Sequence, residues 1–379
     1  MQLLLSSILF FFLTGIVFCQ KPVLVKFKST DIGEKKSLEE WGLDATWVNH
    51  YNAAPSKRNA GELIDFIRIG FYMHEPYNED GSLSKRQIKD LDDALSFVHK
   101  VNPKMPIKLS PHNMSRISDW YKEKDGSANV ERWVHVMEKT KEYVEGMGHT
   151  IHSLEVFNEP DWEKWNMGKT EDFRKILKKT KSWGVPRTGP STLSTTPALK
   201  WYEPIKRELE YGGTHTLGGT MEQYFDFIKE VKRDRKKFMN PEVHSLVEVI
   251  VGIEEGLDAV CWWDQIHHER AAFMKACLGH RLAYKAVKDN WSAACVYRDP
   301  EGLIHGFAST NERNNGKETV YHFICEDKDM TYYINGERDK GVFCKKGTPF
   351  KIQAKIKQDD HTAEKKTMTH WFTIEPSKE

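Results

Sequence analysis

The sequence predicts an α/β fold, a (β/α)₈ TIM barrel followed by a C-terminal antiparallel β domain, and three observations point there. Short apolar runs alternate with amphipathic helical stretches eight times between about residues 40 and 290. No Gly-rich nucleotide loop follows any early run, which sets aside a doubly wound sheet. After Asn290 the helical period disappears, and short β-like runs broken by Asp, Gly and Asn turns take over.

Met1 to Cys19 reads as a secretory leader cut before Gln20. Leu3 to Phe18 is almost wholly apolar, with Val17 and Cys19 at the small-residue positions. It is short for a membrane span and no basic stop-transfer stretch follows. The expectation is a secreted, extracellular chain, with residues 20–290 as the barrel and 291–379 as a small β-sandwich-like domain.

Within the barrel, Ala45–Val48 is the first strand candidate and Phe66–Phe71 the second, with a helix near Gly61–Asp65 between them. Ser84 to Val101 places Ile88, Leu91, Ala94, Leu95 and Val98 at helical spacing. Pro106–Ser110 is the third strand, closed by Pro111, and Val130–Glu145 the next helix. Leu154–Phe157 is the fourth strand, Arg187–Ser191 the fifth, Tyr211–Thr216 the sixth, Lys237–Glu242 the seventh and Ala259–Asp264 the eighth. Helices over Thr170–Ser182, Met221–Val231, Leu246–Leu257 and Glu269–Val287 fill the gaps. The last dozen residues are charged and read as loose.

The net charge of +1 over 379 residues gives no reason to expect nucleic acid or an anionic membrane as partner. The 12 Trp favour flat ligands such as sugars, though large cores use Trp as well. Without Cys19 five cysteines remain, an odd number, so at least one thiol is free; Cys325 and Cys344 are the expected pair. Asn113-Met114-Ser115 and Asn290-Trp291-Ser292 are glycosylation sequons.

Chemistry in such a barrel sits at the C-terminal ends of the strands. Those ends carry Arg68, Pro111 with His112, Asn158 with Glu159, Ser191, His215, Glu242 with His244, and Trp262 with Trp263. In Asn158-Glu159-Pro160-Asp161-Trp162 a carboxylate, an amide and an indole come together. The acid suits protonation of a glycosidic oxygen, the amide suits a ring hydroxyl, and the indole suits stacking on a sugar face. Glu242 closes the strand across the mouth, so the two carboxyl groups can face one substrate. His267-His268-Glu269 does not make a metal site, because sequence neighbours on a helix point different ways, and no ligand spacing for a metal occurs. No metal and no cofactor is expected.

Asn-Glu-Pro closing strand four, with a Glu closing strand seven, resembles clan A of the glycoside hydrolases, retaining enzymes on (β/α)₈ barrels. The resemblance implies Glu159 as acid/base, Glu242 as nucleophile and Asn158 as partner of the substrate 2-hydroxyl. It implies Arg68 as support for the nucleophile, His215 as its strand-six contact, and Trp262 or Trp263 as the floor of the first subsite. The implied substrate is a β-linked polysaccharide or oligosaccharide. A rival reading keeps the barrel as a carbohydrate-binding protein without catalysis. An esterase is disfavoured, since no Gly-x-Ser-x-Gly elbow appears.

Overall fold

Eight parallel strands close into a barrel. After an outlying strand β1 (Val23–Phe27) they are β2 (Glu40–Asp44), β3 (Phe66–Tyr72), β4 (Ile107–His112), β5 (Ile151–Glu155), β6 (Arg187–Ser194), β7 (Tyr211–Gly218), β8 (Lys237–Val243) and β9 (Ala259–Trp262). The helices are α1 (Ala53–Ala60), α2 (Lys85–Val101), α3 (Val130–Gly146), α4 (Thr170–Thr180), α5 (Ala198–Tyr202), α6 (Met221–Arg233), α7 (Leu246–Glu255) and α8 (His268–Ala276). This computed structural model describes residues 21–112, 117–311, 317–354 and 369–377. The Met1–Cys19 leader and the Asn113 sequon therefore lie outside the described residues.

Local chemistry accounts for most boundaries. Ser84 caps α2 by accepting from Gln87 N at 3.2 Å, while the Gln87 side chain accepts from Ser84 N at 2.9 Å. Leu91, Ala94, Leu95 and Val98 then bury one face of α2 against the barrel. All seven residues of β3 are buried, as expected of a parallel strand covered on both faces. In β2, a Cβ at Gly42 would lie 2.3 Å from the Phe66 ring, so only glycine admits that packing.

Several expected boundaries move. The first barrel strand is Glu40–Asp44, not Ala45–Val48. Its ladder runs to Ala259–Trp262 on one side and Phe66–Arg68 on the other. Asp44 Oδ1 then accepts from Thr46 N and Oγ1, both at 2.6 Å, and turns the chain out into a loop. The helix expected near Gly61–Asp65 lies earlier, at Ala53–Ala60, with a 3₁₀ turn at Gly61–Leu63. The fourth barrel strand, β5, begins at Ile151 and ends at Glu155, where pairing with Arg187 and Thr188 stops. Val156 and Phe157 are buried beyond the ladder.

The long helix expected over Glu269–Val287 is half helix and half strand. Helix α8 stops at Ala276, and His280–Val287 forms β10, antiparallel to β11 (Ser292–Arg298). A Cβ at Gly279 would sit 1.9 Å from Arg298 O, so the chain crosses its neighbour too closely there for any side chain. The β unit therefore begins about ten residues before the expected boundary of 291. It also draws β1 from residues assigned to the barrel half, because β1 pairs in parallel with β13 (Thr319–Cys325).

The remaining strands are β12 (Ile304–Thr310), β14 (Met330–Ile334), β15 (Gly341–Cys344), β16 (Phe350–Ala354) and β17 (Thr369–Pro376). A three-stranded sheet β1-β13-β16 faces a six-stranded sheet β10-β11-β12-β17-β14-β15. Phe27, Tyr321, Phe323 and Phe350 pack with Val296, Tyr332, Phe372 and Ile374 in one core. The tail expected to be loose is β17, in the interior of the larger sheet, where alternate residues Phe372 and Ile374 are buried. Trp291, Cys295, Tyr297 and Phe307 join the barrel core instead, tying the two units together. Each such buried side chain contributes about 1.5–3 kcal/mol.

The expected Cys325–Cys344 pair is not formed, and all five described cysteines are free thiols. Cys325 Sγ instead donates to Asp327 Oδ1 at 2.9 Å. Asn290 is buried, and its Nδ2 donates to Thr319 Oγ1 at 2.9 Å, so this sequon's amide is used inside the fold. Among the described residues no helix is long and apolar enough to cross a membrane.

Candidate active site

The mouth of the barrel is built around a buried arginine. Arg68, on β3, places Nη1 2.6 Å from Asp44 Oδ2 and 2.8 Å from Glu242 Oε2. Its Nη2 donates to Asn158 Oδ1 at 2.5 Å, to Ser110 Oγ at 3.0 Å and to Glu155 Oε1 at 3.1 Å. Beneath it Lys108 Nζ pairs with the other oxygen of Glu155 at 2.9 Å. Two cations thus offset three buried carboxylates, and an unpaired one would carry a large desolvation cost. Asp44 and Lys108 were not singled out from the sequence, and Glu155 lies within its strand and not at the strand end, where site residues are expected. Their signal was a charged residue inside a barrel strand.

Glu242 owes its place to Pro241. The β8–β9 register shifts between Asn240 and Val243, where the proline has no N–H to offer the ladder. Glu242 N donates to Asn240 Oδ1 at 3.2 Å. His244 Nε2 is 3.2 Å from Glu242 Oε1. The His244 ring stacks on Trp263, with centroids 4.7 Å apart and planes at 15°.

Glu159 lies in the loop beyond β5, with φ of +53°, a left-handed conformation uncommon outside glycine and worth noting at a candidate site. Its N donates to Ser191 O at 2.8 Å. Asp161 fastens the same loop, accepting from Leu193 N at 2.6 Å and Ser194 N at 3.1 Å. His215, on β7 and fully buried, holds Nδ1 2.9 Å from Glu159 Oε1 and 3.8 Å from Glu242 Oε2. The expected strand-six contact to Glu242 is present, but the shorter one goes to Glu159. The nearest ligating atoms of Glu159, His215 and Glu242 all lie within 4.8 Å of one another. Three such groups have the spacing of a cation site. Arg68 already supplies a permanent charge at Glu242, which a divalent ion there would have to oppose.

Burial pushes the Glu159 carboxyl above its ordinary value and Glu242 adds to the rise, while His215 and Arg68 pull the other way. For Glu242 burial also pushes upward, but His215, His244 and Arg68 outweigh it and hold the carboxyl well below the usual range. Burial lowers His215; Glu242 and Glu159 overcome that and leave its value raised. The two glutamates, close together and similar in type, are driven apart by what faces them.

The aromatic expectations divide. Trp262 is wholly buried, stacked on Trp41 at 6.2 Å and 9°, with the Arg270 guanidinium 4.7 Å from its ring. It is a core residue and not a subsite floor, because its neighbour Trp263 takes the alternate side of the chain. Trp162 stays in the Glu159 loop, where its N donates to Glu159 O at 3.0 Å and Lys164 Nζ stands 5.7 Å from its ring. His112 ends β4 between the rings of Tyr72, at 5.1 Å, and Trp47, at 5.2 Å. Trp47 was hidden by its assignment to a strand. It is 58% exposed and lines two hollows. One, of about 340 Å³, holds Tyr72, His74, Arg86 and His112; the other holds Asp44, Trp263 and Asp264.

The closed parallel barrel is the fold that the clan A resemblance implies, and the barrel with its β sandwich is similar in fold to solved glycoside hydrolases. A family 30 subfamily 8 xylanase from Clostridium acetobutylicum is similar with a TM-score of 0.57 at 13% identity, over 92% of this chain and 99% of that one. A family 30 endoxylanase from Clostridium papyrosolvens gives 0.57 at 12%, over 94% and 100%. A family 39 glycoside hydrolase from Bacteroides cellulosilyticus gives 0.56 at 10%, over 91% and 82%. At these identities the likeness is one of fold. No protein-family model matches the sequence, and no curated relative matches it.

Proposed function

We propose that this chain is a secreted retaining glycosidase acting on a β-linked polysaccharide or oligosaccharide. The observation that carries the reading is the pair of carboxyl groups of Glu159 and Glu242, which bring one oxygen of each within 4.8 Å of the other, close enough for the retaining spacing. Retaining enzymes hold their carboxyl groups about 5–5.5 Å apart, whereas inverting ones leave about 6.5–9.5 Å for a water. The apolar leader at residues 1–19 supports secretion.

Glu242, kept ionised by Arg68, His215 and His244, attacks the anomeric carbon. Glu159 gives its proton to the leaving oxygen, so the glycosidic bond breaks as the glycosyl–Glu242 ester forms. Glu159 then takes a proton from water, which displaces Glu242 and releases the sugar with its configuration retained. Because Asn158 Oδ1 is occupied by Arg68, its Nδ2 is left to donate to the sugar hydroxyl beside the reacting carbon. Trp263 and Trp47 supply apolar faces for neighbouring sugar rings. The test is hydrolysis of a panel of aryl β-glycosides, with the first-formed anomer read by NMR. A β anomer supports the reading; an α anomer, or no turnover of any panel member or of xylan, β-glucan or galactan, overturns it. The last outcome is the one expected of a binding protein without catalysis.

A further inference from the structure

A separate cavity, of about 700 Å³, lies where α1 and α8 meet the β sandwich, and none of the catalytic-site residues named above lines it. Its size falls within the range of small-molecule sites. Ala271, Ala272 and Pro300 give it a smooth apolar wall, and the Trp371 indole from β17 stands among them. The charges are balanced: Arg58 and Lys275 face Asp299 and Glu301, which fits a neutral ligand better than an ion. Asn59, Asp299 and Glu301 add polar groups to the lining, and the Trp371 indole offers a flat apolar face. A neutral ring bearing hydroxyls suits both.

We infer that this cavity is a second saccharide site, binding a neutral sugar unit of the polysaccharide whose linkage the barrel cleaves. The inference rests on the glycosidase reading above. A chain held here raises its effective concentration at the barrel mouth without taking part in bond cleavage.

The experiment uses the full chain with Glu242→Gln, so that bound polysaccharide survives, run through native gels containing xylan, β-glucan or galactan. Ala272→Trp narrows the cavity without changing its net charge, and Trp371→Ala removes the indole. The expected result is retardation of the Glu242→Gln protein by one polymer, weakened about tenfold by either added change. Raised salt should leave it unaltered, as for a neutral ligand. In the otherwise unsubstituted enzyme, Ala272→Trp should leave turnover of a small aryl glycoside as it was. Retardation by no polymer, or retardation that Ala272→Trp does not weaken, overturns the site. Loss of aryl glycoside turnover on Ala272→Trp alone also overturns a separate site, whereas absence of turnover in the protein without any substitution overturns the glycosidase reading, so the two failures are distinct.

Discussion

His215 Nδ1 stands 2.9 Å from Glu159 Oε1. Burial raises the proton affinity of the Glu159 carboxyl, and at His215 the two glutamates outweigh burial and raise it as well. With Glu242 held low and Glu159 held high, kcat/KM should be bell-shaped in pH. The acid limb should lie below the ordinary carboxylate range and the alkaline limb above it.

His215→Phe should move both limbs to higher pH, because the imidazolium lowers the carboxyl values of Glu159 and Glu242 alike. A pH profile on one aryl glycoside reads this directly. An acid limb that stays in place would separate His215 from Glu242.

The two glutamates should differ by leaving group. Glu242→Ala removes the nucleophile, and turnover should fall by several orders of magnitude on every substrate. Glu159→Ala should cripple natural linkages but spare the first step on aryl glycosides with acidic leaving groups, which depart without protonation. Azide should restore turnover in Glu159→Ala and give a glycosyl azide of retained configuration. Full activity of Glu159→Ala on a polysaccharide would sink the assignment.

Arg68→Met leaves Asp44, Glu155 and Glu242 without the cation at their centre. Breaking such a buried set should cost about 3–5 kcal/mol of stability at neutral pH. Glu242, whose folded value is depressed, contributes stability above its unfolded value and loses it as pH falls through the folded one. That contribution depends on Arg68, so the gap between Arg68→Met and the parent should narrow on acidification. Urea titrations at neutral and acid pH check this, and an equal gap at both refutes it.

Trp47 and Trp262 should behave oppositely. Trp47→Ala should leave stability within about 0.5 kcal/mol and raise KM for oligosaccharides roughly tenfold. Trp262→Ala should cost about 3–5 kcal/mol through the cavity left against Trp41. An unchanged KM in Trp47→Ala would remove it from the substrate path.

The sequence by itself determined the alternation of strand and helix, and with it the barrel, because period and capping are local properties: Ser84 with Gln87 marks the start of α2 without help from elsewhere. It also placed Arg68, Asn158, Glu159, His215 and Glu242 at one mouth, since strand ends in such a barrel converge. Tertiary structure decided what periodicity cannot carry. His280–Val287 has the composition of a helix continuing α8, yet pairing with Ser292–Arg298 makes it a strand. The tail becomes β17 only because β12 and β14 offer open edges to it. Which of two adjacent tryptophans meets the site is likewise a matter of register: Trp263 turns to His244, and Trp262 to the Trp41 ring. The ion network around Arg68 joins residues 44, 108, 155 and 242, far apart in the chain, and only closure of the barrel brings their charges within reach of one another.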